Sequence, residues 1–193
     1  MVVTPNKLRF ETERLILRDF QASDWEQVLA YRSDSRYQVY YPPVDQLTED
    51  TRSFVNKMIE WQGEQPRYRY QLAVVLKEEG ILIGICGVRK ESPIALQAEI
   101  GYELDPHYWG RGYAREAAHV IVDFAFRDLQ LHRLHAHCLA ENATSIRVLE
   151  KLGMTREGHL REHIWMKGRW WDTFLYGLLV YEWHAQEDKG LSF

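Results

Sequence analysis

The sequence of 193 residues is 46% hydrophobic and 27% charged, which is ordinary for a globular protein with a real core. Its net charge of −4 gives no basic footprint for nucleic acid, and no apolar run approaches the ~20 residues of a membrane span. The two cysteines, Cys86 and Cys138, cannot form a disulfide framework, and the first residues lack the apolar region of a signal peptide. We therefore expect a cytoplasmic protein without membrane or nucleic-acid partners.

The first half of the chain predicts one strand, two helices and then three antiparallel strands. Residues 8–20 read as a strand, and Ser23 or Asp24 can cap the first helix. Residues 33–46 are irregular, aromatic and interrupted by two prolines, and Thr48 begins the second helix. Residues 68–76 and 81–88 resemble a hairpin, and the third strand starts at Gln97.

A strand, a glycine turn and a helix start follow one another over residues 97–127. Alternating apolar residues predict the strand, which Asp105-Pro106 ends because proline removes a hydrogen-bond donor. The turn is the segment Trp109-Gly110-Arg111-Gly112-Tyr113-Ala114, and apolar residues recur three and four apart after it. The free N–H groups and positive dipole end of such a helix suit a phosphate, which glycines allow to approach closely.

The two commonest phosphate motifs do not fit this turn. A P-loop needs Gly-Lys followed by Ser or Thr, whereas Gly112 is followed by tyrosine and alanine. The dinucleotide fingerprint needs a third glycine at position 115, which is Arg115.

The second half predicts a strand over residues 131–139, a short helix from Asn142 to Gly153, and strands over 154–166 and 171–183. The strand at 131–139 follows a crossover helix, so it should run parallel to its partner. No repeat or linker interrupts the order, and we expect one domain over residues 1–193. The predicted fold is a mixed α/β sheet with the order β-α-α-β-β-β-α-β-α-β-β.

The glycine turn resembles motif A of the GCN5-related N-acetyltransferases, Q/R-x-x-G-x-G/A, with Trp109 in place of the first Gln or Arg. Residues 141–162 resemble the N-x-x-S…EKLGF…EG signature of the subgroup that acetylates the N-termini of ribosomal proteins, which often has tryptophan before the turn. The resemblance implies the acyl-CoA N-acyltransferase fold, with a largely antiparallel sheet splayed at its central parallel strand pair. It also implies transfer of acetyl from acetyl-CoA to a primary amine, by direct attack and without a metal.

The acceptor implied by the subgroup is a protein N-terminal α-amine. A small amine (a polyamine, an amino-acid analogue or an antibiotic) stays as an alternative, and so does a non-catalytic module that binds acyl-CoA.

The resemblance also implies site residues. Ser145 would donate a proton to the leaving thiolate, and either Glu99 or Glu157 would be the general base. Asn142 and Ser145 could instead only cap the short helix, and each carboxylate could be a solvated strand residue. Four tyrosines near the connection between the first two helices would line the acceptor site: Tyr31, Tyr37, Tyr40 and Tyr41. The residues expected to bind acetyl-CoA are Gly101, Trp109, Gly110, Arg111, Gly112, Tyr113, Ala114, Arg115, Asn142 and Ser145.

Two further patterns invite a functional interpretation. His132, His135 and His137 stand near Cys138, but Cys138 points to the opposite face of a strand from His135 and His137, so we expect no metal site. A strand cysteine is usually a small buried hydrophobe, so Cys138 is not expected to be a nucleophile. The aromatic segment 163–171, with Trp165, Trp170 and Trp171, could form a homodimer contact, the acceptor wall or sheet packing.

Overall fold

The computed structural model describes residues 8–41 and 47–187, and the strands in these residues form one mixed sheet. The sheet order is β1-β2-β3-β4-β5-β6-β8-β7, with β5 and β6 parallel and the other neighbours antiparallel. This confirms the predicted sheet and its parallel pair. The strands are β1 (Arg9–Glu11), β2 (Leu15–Arg18), β3 (Arg69–Leu76), β4 (Leu82–Arg89), β5 (Gln97–Leu104), β6 (Arg133–Leu139), β7 (Thr155–Met166) and β8 (Arg169–Leu179).

Helices cover both faces of the sheet. Alternate residues of β3 point to opposite faces, so Leu72 and Val74 join one buried cluster and Ala73 and Val75 join the other. The first cluster includes the apolar stripe of α4, and the second includes residues of α1 and α3. The helices are α1 (Trp25–Arg32), α2 (Ser35–Gln38), α3 (Leu47–Gln62), α4 (Tyr113–Arg127), α5 (Ala143–Lys151) and α6 (Val180–Glu187).

The parallel pair of strands separates along its length. Pairing between β5 and β6 covers only three residues on each strand and ends at Glu99 and His135. Beyond that point β5 continues to Leu104 and β6 to Leu139. The backbone groups on the facing edges therefore line an opening in the middle of the sheet, and this opening positions the site.

Three differences from the predicted elements have local causes. The predicted strand at 8–20 is a hairpin of β1 and β2, because Thr12 N donates to Leu15 O at 2.9 Å and Leu15 N donates to Thr12 Oγ1 at 2.8 Å. The irregular segment contains α2, which Asp34 caps, while its residues 42–46 lie outside the described ones. The last predicted strand ends at Leu179, where the Glu182 carboxylate accepts from the Leu179 N–H, and α6 follows.

Across residues 8–41 and 47–187, no helix has the length and apolar character needed to cross a membrane.

Candidate active site

The glycine turn connects the end of β5 to the first residue of α4. Gly110 has φ +77° and Gly112 has φ +85°, backbone conformations that L side chains rarely adopt. A Cβ on Gly110 would have no heavy atom within 4 Å, so a ligand has room to approach the backbone there. Gly112 is the N-cap of α4, and a helix leaves the N–H groups of its first turn, here residues 113–115, without carbonyl partners inside the helix. The turn therefore has the geometry of an anion site.

Arg14, which precedes β2, braces this turn and was not singled out from the sequence. Its guanidinium donates to Arg111 O at 3.0 Å and to the Glu116 carboxylate at 2.7 Å, and it lies over the Tyr113 ring at 4.5 Å. Arg111 itself is exposed, and Arg115 is half-buried. The two arginines predicted near the phosphate are therefore at the turn, and a third arginine holds its backbone. Arg14 and Arg111 are 97 residues apart in the sequence, so no local pattern indicated this contact.

A cavity of about 500 Å³ occupies the opening between β5 and β6. Trp109 and Ala114 line it at the glycine turn, and Asn142 and Ser145 line it at the start of α5. Its other described walls are the α2 region, the ends of β5 and β6, helix α5 and the β7–β8 hairpin. They are contributed by Tyr37, Tyr40, Tyr41, Tyr102, Glu103, Leu104, His137, Cys138, Leu139, Thr144, Val148, Ile164, Trp165, Met166 and Thr173.

Asn142 and Ser145 serve as a helix cap and also line this cavity. The Asn142 side chain accepts from Ser145 N at 3.0 Å, which is the helix-capping contact expected of these two residues. The Tyr102 hydroxyl lies 3.0 Å from Ser145 Oγ and donates to Ser145 O at 3.0 Å. Burial raises the pKa of Tyr102, so its hydroxyl stays protonated at neutral pH. Tyr102 is a functional candidate that sequence reasoning missed, because on β5 it falls in the same alternating apolar series as the core residues Ile100 and Leu104.

Trp109 has a structural role in the turn. Its indole N–H donates to Leu104 O at 2.8 Å, and its ring packs against the core cluster under α4. The tryptophan thus fixes the end of β5 to the start of the glycine turn. This contact gives a physical reason for tryptophan at a position where the general motif has Gln or Arg.

The four predicted acceptor tyrosines lie together but have different roles. Tyr31 and Tyr37 each donate to the Glu103 carboxylate at 2.7 Å, and Arg32 pairs with the same carboxylate at 2.7 Å. Tyr31 is buried and lines neither cavity, so it supports the site from behind. The rings of Tyr37 and Tyr41 stack at 4.1 Å. Tyr37, Tyr40 and Tyr41 line the cavity.

Glu99 lies at a second cavity of about 300 Å³ beside the first. Gly101 also lines this cavity. It lies two residues after Glu99, which is the last residue of β5 that pairs with β6. Glu99 Oε2 accepts from Arg89 at 2.7 Å, and its Oε1 lies 3.8 Å from His137 Nδ1. His137 lines both cavities, so the two meet at this histidine.

Glu157 lies away from both cavities. Its carboxylate pairs with the Arg133 guanidinium, with Oε1 at 2.7 Å, and extends across the backbone of Gly177. The hydrogen bond from Arg133 lowers the pKa of Glu157, which makes this carboxylate a weaker base. The structure therefore brings Glu99 and Ser145 to the opening but does not bring Glu157 there.

The aromatic segment at 163–171 divides between packing and the cavity wall. Trp171 is buried and donates to Met166 O at 2.8 Å, so it packs inside the hairpin. The Trp165 and Trp170 rings meet edge to face at 5.4 Å and are more than half exposed, and Trp165 lines the first cavity.

Neither the histidines nor Cys138 form a metal cluster in the described part of the chain, where no three such side chains are placed to hold an ion. Cys138 is buried, and this burial raises the pKa of its thiol to about 11.

Comparison with known proteins agrees with this geometry. The family model for the acetyltransferase (GNAT) domain matches residues 14–155. The uncharacterized N-acetyltransferase YnaD of Bacillus subtilis (strain 168) is 37% identical over 177 residues, which covers 92% of this chain and 100% of YnaD. The crystal structure of a GNAT-family acetyltransferase from Bacillus anthracis is 37% identical with a TM-score of 0.78, covering 90% of this chain and 99% of that one.

Two further matches have named acceptors. The crystal structure of ribosomal-protein-S5-alanine acetyltransferase from Vibrio fischeri is 25% identical with a TM-score of 0.78, covering 91% of this chain and 98% of that one. The spermidine N(1)-acetyltransferase of Vibrio cholerae is 32% identical over 92 residues, which is 48% of this chain and 53% of that protein.

Proposed function

Because this chain belongs to the GNAT family of N-acetyltransferases, we propose that it acetylates the α-amine at the N-terminus of a protein, in the opening between β5 and β6. The glycine turn would bind the acetyl-CoA pyrophosphate, and the cavity toward Tyr40 and Trp165 would receive the end of the acceptor chain.

The observation that carries this proposal is the charge of the acceptor side. Among the described residues that line the two cavities, the carboxylates are Glu99 and Glu103. Each is paired with an arginine at 2.7 Å, Glu99 with Arg89 and Glu103 with Arg32. The two pairs are neutral overall, so the cavity offers no surplus negative charge for the distal ammonium groups of a polyamine. An acceptor with a single amine and an apolar or small first side chain suits this lining better.

The ionisation of the acceptor favours the same choice. An α-amine with a pKa of ~7.8 costs roughly 1 kcal/mol to deprotonate at pH 7, whereas a lysine side chain at ~10.4 costs about 4.6 kcal/mol. The carboxylates of this lining are already paired with arginines, so neither stands unpaired to take the proton of a lysine. The α-amine is thus the easier nucleophile for these residues.

The glycine turn fits the proposed donor. Open space at Gly110 and the N-terminal first turn of α4 suit a pyrophosphate, and Arg111 adds positive charge. Acetyl-CoA supplies an acetyl group activated as a thioester. The edge of β5 that faces β6 is unpaired beyond Glu99. Its backbone can hold an extended chain along the strand edge, and its N–H groups can polarise a carbonyl. The Tyr102–Ser145 hydroxyl pair can donate a proton to a departing thiolate.

A small-molecule amine is the second candidate. A cavity of about 500 Å³ can hold a whole small amine, and the partial match to a spermidine acetyltransferase supports this class. The apolar walls around Ile164 and Met166 would favour an amine with an apolar body over a linear polyamine.

Thiol release from acetyl-CoA by the purified protein tests the proposal. The acceptors are peptides with a free N-terminal alanine or serine, the same peptides with a blocked N-terminus and one lysine, and spermidine. We expect kcat/KM to be at least about tenfold higher for the free α-amine peptides. Faster turnover of spermidine or of the blocked peptides would contradict it. Tight CoA binding by calorimetry without release for any amine would favour the binding module.

A further inference from the structure

His137 stands where the two cavities meet. It lies on β6, two residues after the last pair with β5, and lines the cavity on each side of the opening. Its neighbours Ala136 and Cys138 are buried in the core under α4 and α5, so the imidazole points to the opposite face. An acceptor that enters between these walls meets the histidine ring.

The carboxylates near this point are occupied by other groups. Glu103 accepts from Tyr31, Tyr37 and Arg32. Glu99 accepts from Arg89 through Oε2. Both carboxylates are therefore already engaged by hydrogen-bond donors of the protein. Imidazole is the strongest remaining base among the described lining residues.

Glu99 is placed to act on this imidazole. Its Oε2 is fixed by Arg89, and its Oε1 lies 3.8 Å from His137 Nδ1, within the range of an ion pair. With the Nδ1 edge of the ring toward this carboxylate, Nε2 is the ring nitrogen left to receive a proton from the acceptor.

We propose that His137 Nε2 is the proton acceptor for the attacking amine and that Glu99 is its positioning residue. The proposal rests on acetyl transfer to an amine and holds for either class of acceptor. An ammonium group loses two protons on becoming an amide. The first passes through His137 Nε2 to solvent and frees the lone pair that forms the N–C bond. The second leaves the nitrogen to solvent as the C–S bond breaks, while the sulfur gains one proton from the Tyr102–Ser145 pair, which solvent restores.

Several ionisable groups surround His137 and bear on its titration. The His135 and His163 rings lie with their centroids each 6.0 Å from the His137 ring, on β6 and β7. The carboxylate of Glu99 opposes the positive charge of Arg89, so the nearest charges largely cancel. The ionisable residues that line the two cavities together with His137 are Glu99, Tyr102 and Glu103 on β5, Arg89 on β4, Cys138 on β6, and Tyr37, Tyr40 and Tyr41 in the α2 region.

The test compares His137→Gln with His163→Gln, a neighbouring histidine that lines neither cavity. We expect His137→Gln to lower kcat/KM for the best acceptor by about 10²–10³-fold and to remove the acid limb of the pH profile, while CoA affinity by calorimetry is unchanged. His163→Gln should keep the limb and stay within about threefold of wild type. A His137→Gln enzyme within threefold of wild type, with its acid limb intact, would overturn the proposal.

Glu99→Gln separates positioning from structure. Loss of the carboxylate removes the group that faces His137 Nδ1, so kcat should fall by about tenfold while the KM for acetyl-CoA stays within about twofold, and Glu99→Asp should recover part of the loss. A kcat equal to that of the wild type, or an effect on KM alone, would overturn the positioning role. If the wild type acetylates no amine, the proposed function fails, and the base is then tested by the hydrolysis of acetyl-CoA alone. Equal hydrolysis by wild type and His137→Gln would overturn the role of His137.

Discussion

The Tyr102 hydroxyl lies 3.0 Å from the hydroxyl of Ser145, across the opening between β5 and the start of α5. The pair connects the two sides of the opening, since Tyr102 belongs to β5 and Ser145 lies in α5, which follows β6. A partly buried tyrosine and a serine of the first turn of α5 in contact form a hydroxyl pair that stays protonated over the neutral range. The predicted proton donor, Ser145, is therefore one member of a pair.

Tyr102→Phe should lower kcat by about 10–100-fold, because the serine loses its partner and the site loses its protonated phenol. Ser145→Ala should cost less, and the double variant should cost less than the product of the two. Steady-state kinetics at saturating acetyl-CoA measure these effects. Strictly additive costs would indicate that the two hydroxyls act independently.

The same pair predicts the alkaline side of the pH profile. Burial raises the pKa of Tyr102, so the donor stays protonated well above neutral pH. Turnover should therefore not fall between about pH 7 and pH 9 through loss of this proton. An alkaline limb in that range which Tyr102→Phe abolishes would be evidence against a raised pKa.

Gly112→Val should reduce acetyl-CoA affinity by at least about tenfold, because φ +85° at the helix N-cap strains any β-branched residue and displaces the N–H groups of the turn. Gly80→Val is the matched control. Gly80 has φ +69° in the β3–β4 turn and no heavy atom within 4 Å of an added Cβ, whereas a Cβ on Gly112 would meet the Arg14 guanidinium at 3.4 Å, and Gly80 lies far along the chain from the site. Calorimetry with acetyl-CoA and thermal melts separate affinity from stability. Equal affinities in both variants would remove the phosphate site from the turn.

Cys138→Ala should retain turnover within about threefold. Its burial and its raised thiol pKa of about 11 leave almost no thiolate at neutral pH, so it is a poor nucleophile. Mass spectrometry of the enzyme during turnover should detect no acetylated thiol. An acetyl-enzyme that is lost together with activity in Cys138→Ala would establish covalent catalysis instead.

Glu103→Ala should lower the free energy of unfolding by about 3 kcal/mol, because it leaves the largely buried Arg32 guanidinium and two tyrosine hydroxyls without their acceptor. Urea denaturation measures the loss. Glu11→Ala is the control, since it removes an exposed ion pair with Arg9 and should leave the urea midpoint nearly unchanged. Equal midpoints for the two variants would mean that the Glu103 cluster does not hold the α1–α2 wall.

The sequence predicted most of the sheet because periodicity and turn residues are local signals. The predictions from the sequence that failed depend on contacts between segments far apart in the chain. The end of β8 and the start of α6 form one apolar run, and only the burial of Trp183 against α4 separates helix from strand. Glu157 matched a motif, but Arg133 on another strand draws its carboxylate away from the opening. His137 looked like one of several strand histidines, because its place at the meeting of two cavities depends on where β5 and β6 part.

A crystal structure of the protein with coenzyme A tests the central claim, that donor and acceptor meet in the opening between β5 and β6. We expect the pyrophosphate on the N–H groups at Gly110–Arg115 and the sulfur within roughly 4 Å of the Tyr102 or Ser145 hydroxyl. The pantetheine arm should lie along the unpaired edge of β5 beyond Glu99. Coenzyme A bound elsewhere on the chain, or with its sulfur away from these hydroxyls and from His137, would contradict the account.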